Sequence, residues 1–301
     1  MQQVTVSVPA TSANLGPGFD CLGLALDLRH DVTFSSQPEP GLRITAVGED
    51  SDKIPLSEIN LVFQAAKIIF RHLDWQPSGL HIHQFNKIPI GSGLGSSSSA
   101  ILAGMFGANA LAGSPLSKHE ILQMATELEG HPDNVAPAAH GGLVLGILGS
   151  NELLIERIPI PPLSVVIILP DYQLLTVDAR AALPGYVPMQ DAIFNTSRIG
   201  LLIRALETAD FKKLHIALQD KLHQPYRVQL IPGMKDAFLA AQAAGAAGVA
   251  LSGAGPSLIA FAPERHQEIC AAAVKAFYRA GYSCRTWILS VDTTGIVISA
   301  P

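Results

Sequence analysis

The stretch Pro89-Ile90-Gly91-Ser92-Gly93-Leu94-Gly95-Ser96-Ser97-Ser98-Ser99-Ala100 constrains this chain more than any other. Three glycines alternate with small or apolar residues, and four serines then run into an apolar, alanine-rich segment. Glycine lets the backbone turn without a Cβ and lets a ligand approach the main chain. Serines that open a helix cap its free N–H groups, and the positive end of the helix dipole suits phosphate. The stretch therefore reads as a phosphate-cradling loop that leads into a helix. It does not fit G-x-x-x-x-G-K-[ST], because no Gly-Lys pair follows, and Ser96 stands where G-x-G-x-x-G needs its third glycine. A flexible connector is the competing explanation. Connectors seldom sit between a strand and a strong helix.

The 301 residues allow one large domain or two ordinary ones. With 48% hydrophobic and 15% charged residues, a core is well supplied and disorder is not expected. A net charge of −5 with scattered basic residues argues against a nucleic-acid surface. No signal peptide opens the chain, and runs such as Val165–Leu169 are too short to span a bilayer. Cys21, Cys270 and Cys284 lie far apart without metal-type spacing, which points to a reduced, cytoplasmic setting.

Along the chain, Val4, Val6 and Val8 alternate as a half-buried strand. The small, turn-rich segment Pro9–Asp20 follows, and it places Asn14 and Asp20 in an apolar neighbourhood where an unpaired carboxylate is costly. Leu42–Val47 and Leu80–His83 read as strands, with His81 and His83 facing solvent. Asn60 caps a helix carrying Leu61, Ala65, Ile68 and Ile69 on one face. Ala100–Ala112 is a helix apolar on all sides, and Ser117 to Glu120 has the form of a capping box. Glu127 and Glu129 end that second helix, where the dipole disfavours negative charge, so a cation partner and a plain exposed helix end are both open. The proline-rich segment Ile158–Pro162 is the candidate linker. Beyond it, strands are expected at Val165–Leu169, Gly248–Leu251, Leu258–Phe261 and Thr286–Ser290. Helices are expected at 192–222, 234–244 and 264–280, with a second glycine loop at Ser252–Ser257. Strands and helices alternate in both halves, which favours a mixed α/β chain.

Three stretches together resemble the small-molecule kinases named for galactokinase, homoserine kinase, mevalonate kinase and phosphomevalonate kinase, the GHMP kinases. They are Pro89–Ala100, Leu251–Ser257 and Pro9–Asp20. The last of these is similar to the homoserine kinases, as are Glu129–Ala138, Asp178-Ala179-Arg180 with Leu183-Pro184, and His223-Gln224-Pro225-Tyr226-Arg227. The resemblance implies an α+β fold of two domains. Residues 1–160 would form a domain like the second domain of ribosomal protein S5, residues 161–301 a ferredoxin-like one, with ATP between them. It implies transfer of the ATP γ-phosphate to the side-chain hydroxyl of L-homoserine, giving O-phospho-L-homoserine for threonine synthesis. A homodimer is a further possibility.

The resemblance also distributes roles. Pro89, Ile90, Gly91, Ser92, Gly93, Leu94, Gly95, Ser96, Ser97 and Ser98, with Gly253 and Gly255, would hold the nucleotide phosphates, and Asn60 would contact the adenosine. Ser97 and Glu127 would bind Mg²⁺, with Glu129 a possible substitute for Glu127. Asp20 would pair with the acceptor's ammonium, while Arg180 and Arg227 would clamp its carboxylate. Asn14, His131 and Asn134 would complete the acceptor site. Asp133 is a candidate base, but the homoserine kinases resemble one another in lacking a clear one, so direct attack by the acceptor hydroxyl is expected.

Overall fold

The strands of the computed structural model, which describes residues 2–149 and 152–300, fall into one sheet of seven and one of four. The first sheet opens with β1 (Gln3–Ala13), where Val4, Val6 and Val8 point inward as their alternation requires. Its register against β2 (Leu22–Gln37) shifts between Pro9 and Ala10. Past that irregularity every residue of β1 is buried, so the shift carries the strand from the sheet surface into the interior.

Next come β3 (Gly41–Gly48), α1 (Leu61–His72), β4 (Gly79–Asn86), α2 (Ser96–Leu111), α3 (Lys118–Glu129), α4 (Pro132–His140), β5 (Leu143–Leu148) and β6 (Leu153–Ile158). Here β3 pairs with β4 in parallel and the other neighbours run antiparallel. Asn60 accepts the Phe63 N–H at 3.2 Å as the N-cap of α1. Ser117 and Glu120 close the expected capping box on α3. Nearly every side chain of α2 from Ile101 to Asn109 is buried, as a helix without a polar face should be.

The second sheet contains β7 (Ser164–Pro170), β8 (Gly248–Leu251), β9 (Leu258–Phe261) and β10 (Cys284–Ser290) in the order β10-β7-β9-β8. All its pairs are antiparallel. Helices α5 (Thr176–Ala181), α6 (Met189–Glu207), α7 (Leu214–Ala217), α8 (Gln224–Arg227) and α9 (Met234–Ala243) lie between β7 and β8, and α10 (His266–Arg279) lies between β9 and β10. That is the strand order of a ferredoxin-like unit.

Two expectations change. The helical span 192–222 is broken: α6 stops at Glu207, Ala209 takes φ 51°, and residues 218–223 are not helical. The cause is the buried carboxylate of Asp220, which accepts the N–H groups of Leu222, His223 and Gln224 and the amide of Asn195, so the backbone wraps around it. Second, residues 161–301 do not form one separate body. The last strand, β11 (Val297–Ser299), returns to pair with β1 in the first sheet. A shared core ties the halves further, since Leu15, Leu24 and Leu94 pack in one cluster with Val165, Ile167 and Phe261.

Candidate active site

The glycine-serine stretch forms the loop between β4 and α2. Gly93 and Gly95 both have positive φ, 78° and 70°. A Cβ on Gly93 would lie 2.3 Å from the carbonyl oxygen of Ser252, and one on Gly95 would lie 2.0 Å from Thr11 Oγ1. These glycines are required by close backbone approach as well as by conformation. The first glycine loop thus packs directly on the second, and Ser252 Oγ fixes the contact by donating to Gly93 O at 2.7 Å.

The serines act differently from the expected caps. Gly95 is the N-cap of α2 and supplies no side-chain bond to the first turn. Ser97 and Ser98 instead donate from Oγ to the two carboxylate oxygens of Glu129, at 3.1 and 2.9 Å. The first amides of α2 therefore meet no side-chain acceptor among the described residues, and the helix end is open to an anion. Glu129 is the last residue of α3 and lines the same cavity. Glu127 is exposed, and its carboxylate accepts from Gln123 on its own helix at 3.4 Å. The reason is helical phase: two residues apart on an α-helix is about 200° of rotation, so the two carboxylates face opposite ways. The carboxylate beside the serines is Glu129.

The opposite wall of the cavity carries side-chain charge. Asn14, Leu15 and Asp20 all take left-handed backbone conformations, with φ 69°, 45° and 59°. Such conformations cost energy in side-chain-bearing residues and are retained where surrounding bonds dictate them. Here Asn14 accepts the Asp20 N–H at 3.0 Å and donates to Gly253 O at 2.9 Å, which fastens the first loop to the second glycine loop. Asp20 and Arg180 meet in a bidentate pair, both contacts 2.9 Å, and this pairing raises the already high ionisation range of Arg180.

Arg227, in α8, is only 2% exposed. Its guanidinium donates to the carbonyls of Ala179 and Gly253 and to His223 Nδ1, each at 3.3 Å. No carboxylate among the described residues forms a salt bridge with it. Burial, followed by the nearby charge of Arg180, pulls its ionisation below the usual arginine range. A buried cation left to neutral acceptors is an electrostatic demand for an anion.

His131 precedes α4, and its Nδ1 contacts Asp133 Oδ1 at 2.5 Å. Burial alone would lower the histidine's pKa; the hydrogen bond and charge of Asp133, helped by Asp20 and Glu129, outweigh it and hold the pKa above the ordinary 6.5. Asp133 is 1% exposed. Asn134 accepts from Thr11 Oγ1 at 2.7 Å and leans on Asp133 at 3.4 Å, so its side chain braces β1 against α4. The cavity is lined by Asn14, Asp20, Ser96, Ser97, Glu129, His131, Asn134, Arg180, Arg227, Gly253 and Gly255 together with Gly91, Ser92, Gly93 and Gly95. Pro89 and Leu94 are not part of that wall: Leu94 is wholly buried in the core, and the Pro89 carbonyl takes the Ser92 hydroxyl at 2.7 Å. Phe19 and His223, to which the sequence motifs assign no role, stack with 5.0 Å between ring centroids. The motif holds a signal for the histidine, which stands four residues before Arg227 and hence one helical turn away.

Beside the phosphate loop lies a mainly apolar cavity lined by Ile54, Pro55, Leu61, Val62, Ile90 and Ala100, with Asn60, His30 and Gln84 at its polar end. Asn60 is largely engaged there: besides its cap it accepts from Gln84 Nε2 at 3.1 Å and donates to Pro55 O at 2.7 Å.

The arrangement is similar to known proteins along its whole length. Residues 60–142 match the family described as the N-terminal domain of GHMP kinases, and residues 202–280 match the corresponding C-terminal family. A homoserine kinase of Moorella thermoacetica is 42% identical over 294 residues, covering 97% of this chain and 99% of that protein. One of Crocosphaera subtropica is 44% identical over 308 residues, covering 100% and 99%. The crystal structure of a homoserine kinase from Cytophaga hutchinsonii superposes with a TM-score of 0.88 at 32% identity, covering 99% of this chain and 98% of that one. A mevalonate kinase of L. major shares the fold at a TM-score of 0.75 and 17% identity, covering 96% of each chain. With both halves matched and relatives this similar over their full length, the chain belongs to the GHMP kinases, in their homoserine kinase branch.

Proposed function

We propose that this chain transfers the γ-phosphate of ATP to the side-chain hydroxyl of L-homoserine, giving O-phospho-L-homoserine and ADP. The observation that carries the reading is Arg227, a buried cation without a carboxylate partner, in the same cavity as an open helix N-terminus. An acceptor with a carboxylate answers the arginine, and one that also carries an ammonium answers Asp20. Arg180 and Asp20 already face each other as opposite charges. A zwitterion inserted between them finds a partner for each of its ends, whereas galactose has neither charge and mevalonate has no ammonium. The names of the similar proteins agree with this choice.

The phosphates of ATP belong on the amides of the Gly91–Ser98 loop, and the base belongs in the apolar cavity beside Asn60. Glu129 with Ser97 fits Mg²⁺, because both offer hard oxygen donors at the edge of the phosphate loop. When bound, the ion would neutralise charge on the phosphates.

The chain's own side chains then position and neutralise. Arg227, Arg180 and Asp20 orient the acceptor so that its hydroxyl oxygen attacks the γ-phosphorus while the bond to the bridging oxygen breaks and ADP leaves. The hydroxyl proton passes to the transferred phosphate or to solvent. Asp133 lines the cavity, but it is 1% exposed and its Oδ1 is held by His131 and Asn134, which suits it to bracing His131. The hydrogen bond and charge of Asp133 raise the His131 pKa against the opposing effect of burial, and we read His131 as a hydrogen-bond donor to the substrates. The three widely spaced cysteines are unpaired, which supports a cytoplasmic location.

An ADP-release assay with L-homoserine, L-threonine, mevalonate and galactose tests the reading. Turnover is expected with L-homoserine; turnover with mevalonate or galactose and none with L-homoserine would overturn it.

A further inference from the structure

The wall behind the acceptor site contains a group that the reaction itself does not need. His223 is wholly buried and forms the N-cap position of α8, one turn before Arg227. Its two ring nitrogens meet partners of fixed polarity. Nε2 lies 2.8 Å from the carbonyl oxygen of Gly16 and 3.6 Å from Asp220 Oδ2, both of which can only accept. Nδ1 lies 3.3 Å from an Arg227 N–H, which can only donate. The two contacts independently demand the same tautomer: proton on Nε2, lone pair on Nδ1. Burial pulls the imidazole's pKa down, consistent with a neutral ring beside a guanidinium. One ring face stacks on Phe19, and the guanidinium carbons of Arg227 and Arg180 lie 5.1 and 5.6 Å from the centre of that same Phe19 ring. His223 is also anchored through its backbone, since its N–H donates to Asp220 at 2.9 Å.

We infer that His223 is a positioning residue for the acceptor: its Nδ1 lone pair, held by the Gly16 carbonyl on Nε2, takes one Arg227 N–H and thereby aims the guanidinium at the acceptor carboxylate. The inference rests on the reading of Arg227 as the carboxylate clamp. It also explains how the site tolerates two neighbouring guanidiniums. Arg180 is held by Asp20, while a neutral acceptor and an aromatic face carry Arg227 without supplying a carboxylate that would compete with the ligand.

Two amide substitutions separate the nitrogens. Asn places its amide near the Nδ1 position and can still accept from Arg227. Gln reaches the Nε2 position and can donate to Gly16, leaving the arginine without its acceptor. Steady-state kinetics with L-homoserine and ATP should show H223Q raising the KM for L-homoserine by about tenfold, the scale of one hydrogen bond to a charged group. The KM for ATP should stay within about twofold, and H223N should recover most of the loss. Equal shifts for the two variants, or parallel shifts in both KM values, overturn the inference. A measurement on the unaltered protein does not depend on either variant folding: nitrogen-15 correlation spectra of the histidine rings should show His223 as the Nε2–H tautomer. An Nδ1–H ring overturns the inference. Arg227→Ala separates the two levels of the argument. If it leaves the KM for L-homoserine unchanged, the clamp itself fails. If it raises that KM while H223Q does not, only the role of His223 fails.

Discussion

The two walls of the central cavity are built from different materials. The wall proposed for phosphate draws on one short stretch of chain, with Gly91, Ser92, Gly93, Gly95, Ser96 and Ser97 on the cavity, and what it offers is backbone N–H groups and a helix end. The acceptor wall is assembled from β1's following loop, the start of α4, α5 and α8, and what it offers is side-chain charge on Asp20, His131, Arg180 and Arg227. Backbone donors suit any phosphate and discriminate little. Charged side chains in fixed opposition read a particular pattern on the ligand. The division assigns binding of the shared substrate to the local element and choice of the particular one to the dispersed element.

The sharpest test of the phosphate wall is its carboxylate. Glu129→Ala should lower kcat by roughly 10³-fold, in the range for removing a pre-placed electrostatic group, while Glu127→Ala stays within a few-fold. The reverse order would return the metal role to Glu127 and undo the placement drawn from helical phase. On the other wall, Arg227→Ala should raise the KM for L-homoserine by about 10²-fold with little change for ATP, the expected loss when a buried charge-assisted contact disappears. Equal effects on the two substrates would erase the distinction between the walls.

The junction between the walls gives a smaller effect. Asp133→Asn should slow turnover by about tenfold through misplacement of His131. A loss of ~10³-fold or more with intact folding, within reach of a general base, would make Asp133 catalytic and end the direct-attack mechanism. The smallest effect is on stability. Because the folded-state pKa of His131 is raised, its pairing with Asp133 stabilises fully below pH 6.5 and loses that contribution as pH rises through the folded value. The melting temperature of the wild-type protein minus that of His131→Gln should therefore shrink by about 2–4 °C on going from acidic to alkaline pH. A difference that grows with pH would contradict the assignment.

The contrast also explains what was legible in the sequence. A loop built from consecutive residues shows itself in consecutive letters, so the Pro89–Ala100 segment reads as a phosphate site before any comparison. The strands of alternating valines, the Asn60 cap and the Ser117–Glu120 box are equally local. Arg180 and Arg227 carry no local mark; only resemblance to a family places them together, because the fold closes a gap of 47 residues between them and of 160 between Arg180 and Asp20. The buried and unpaired character of Arg227 could not be read at all, since it depends on which neighbours lack a carboxylate. The same holds for Asp220, whose ring of N–H donors breaks the helical pattern across 192–222. Glu127 and Glu129 were distinguishable in principle through the 3.6-residue repeat, but the reference direction, the position of the serines, comes from tertiary structure.

The return of β11 to β1 has a consequence for the order of events during synthesis. Val6 and its partner Ile298 stand 292 residues apart in the sequence. At about 5–20 residues per second, the first strand waits tens of seconds for its neighbour, with one edge bare throughout. The first sheet is thus completed by a strand made long after the one it joins, and a chain cut before Val297 would lack the stitch on β1.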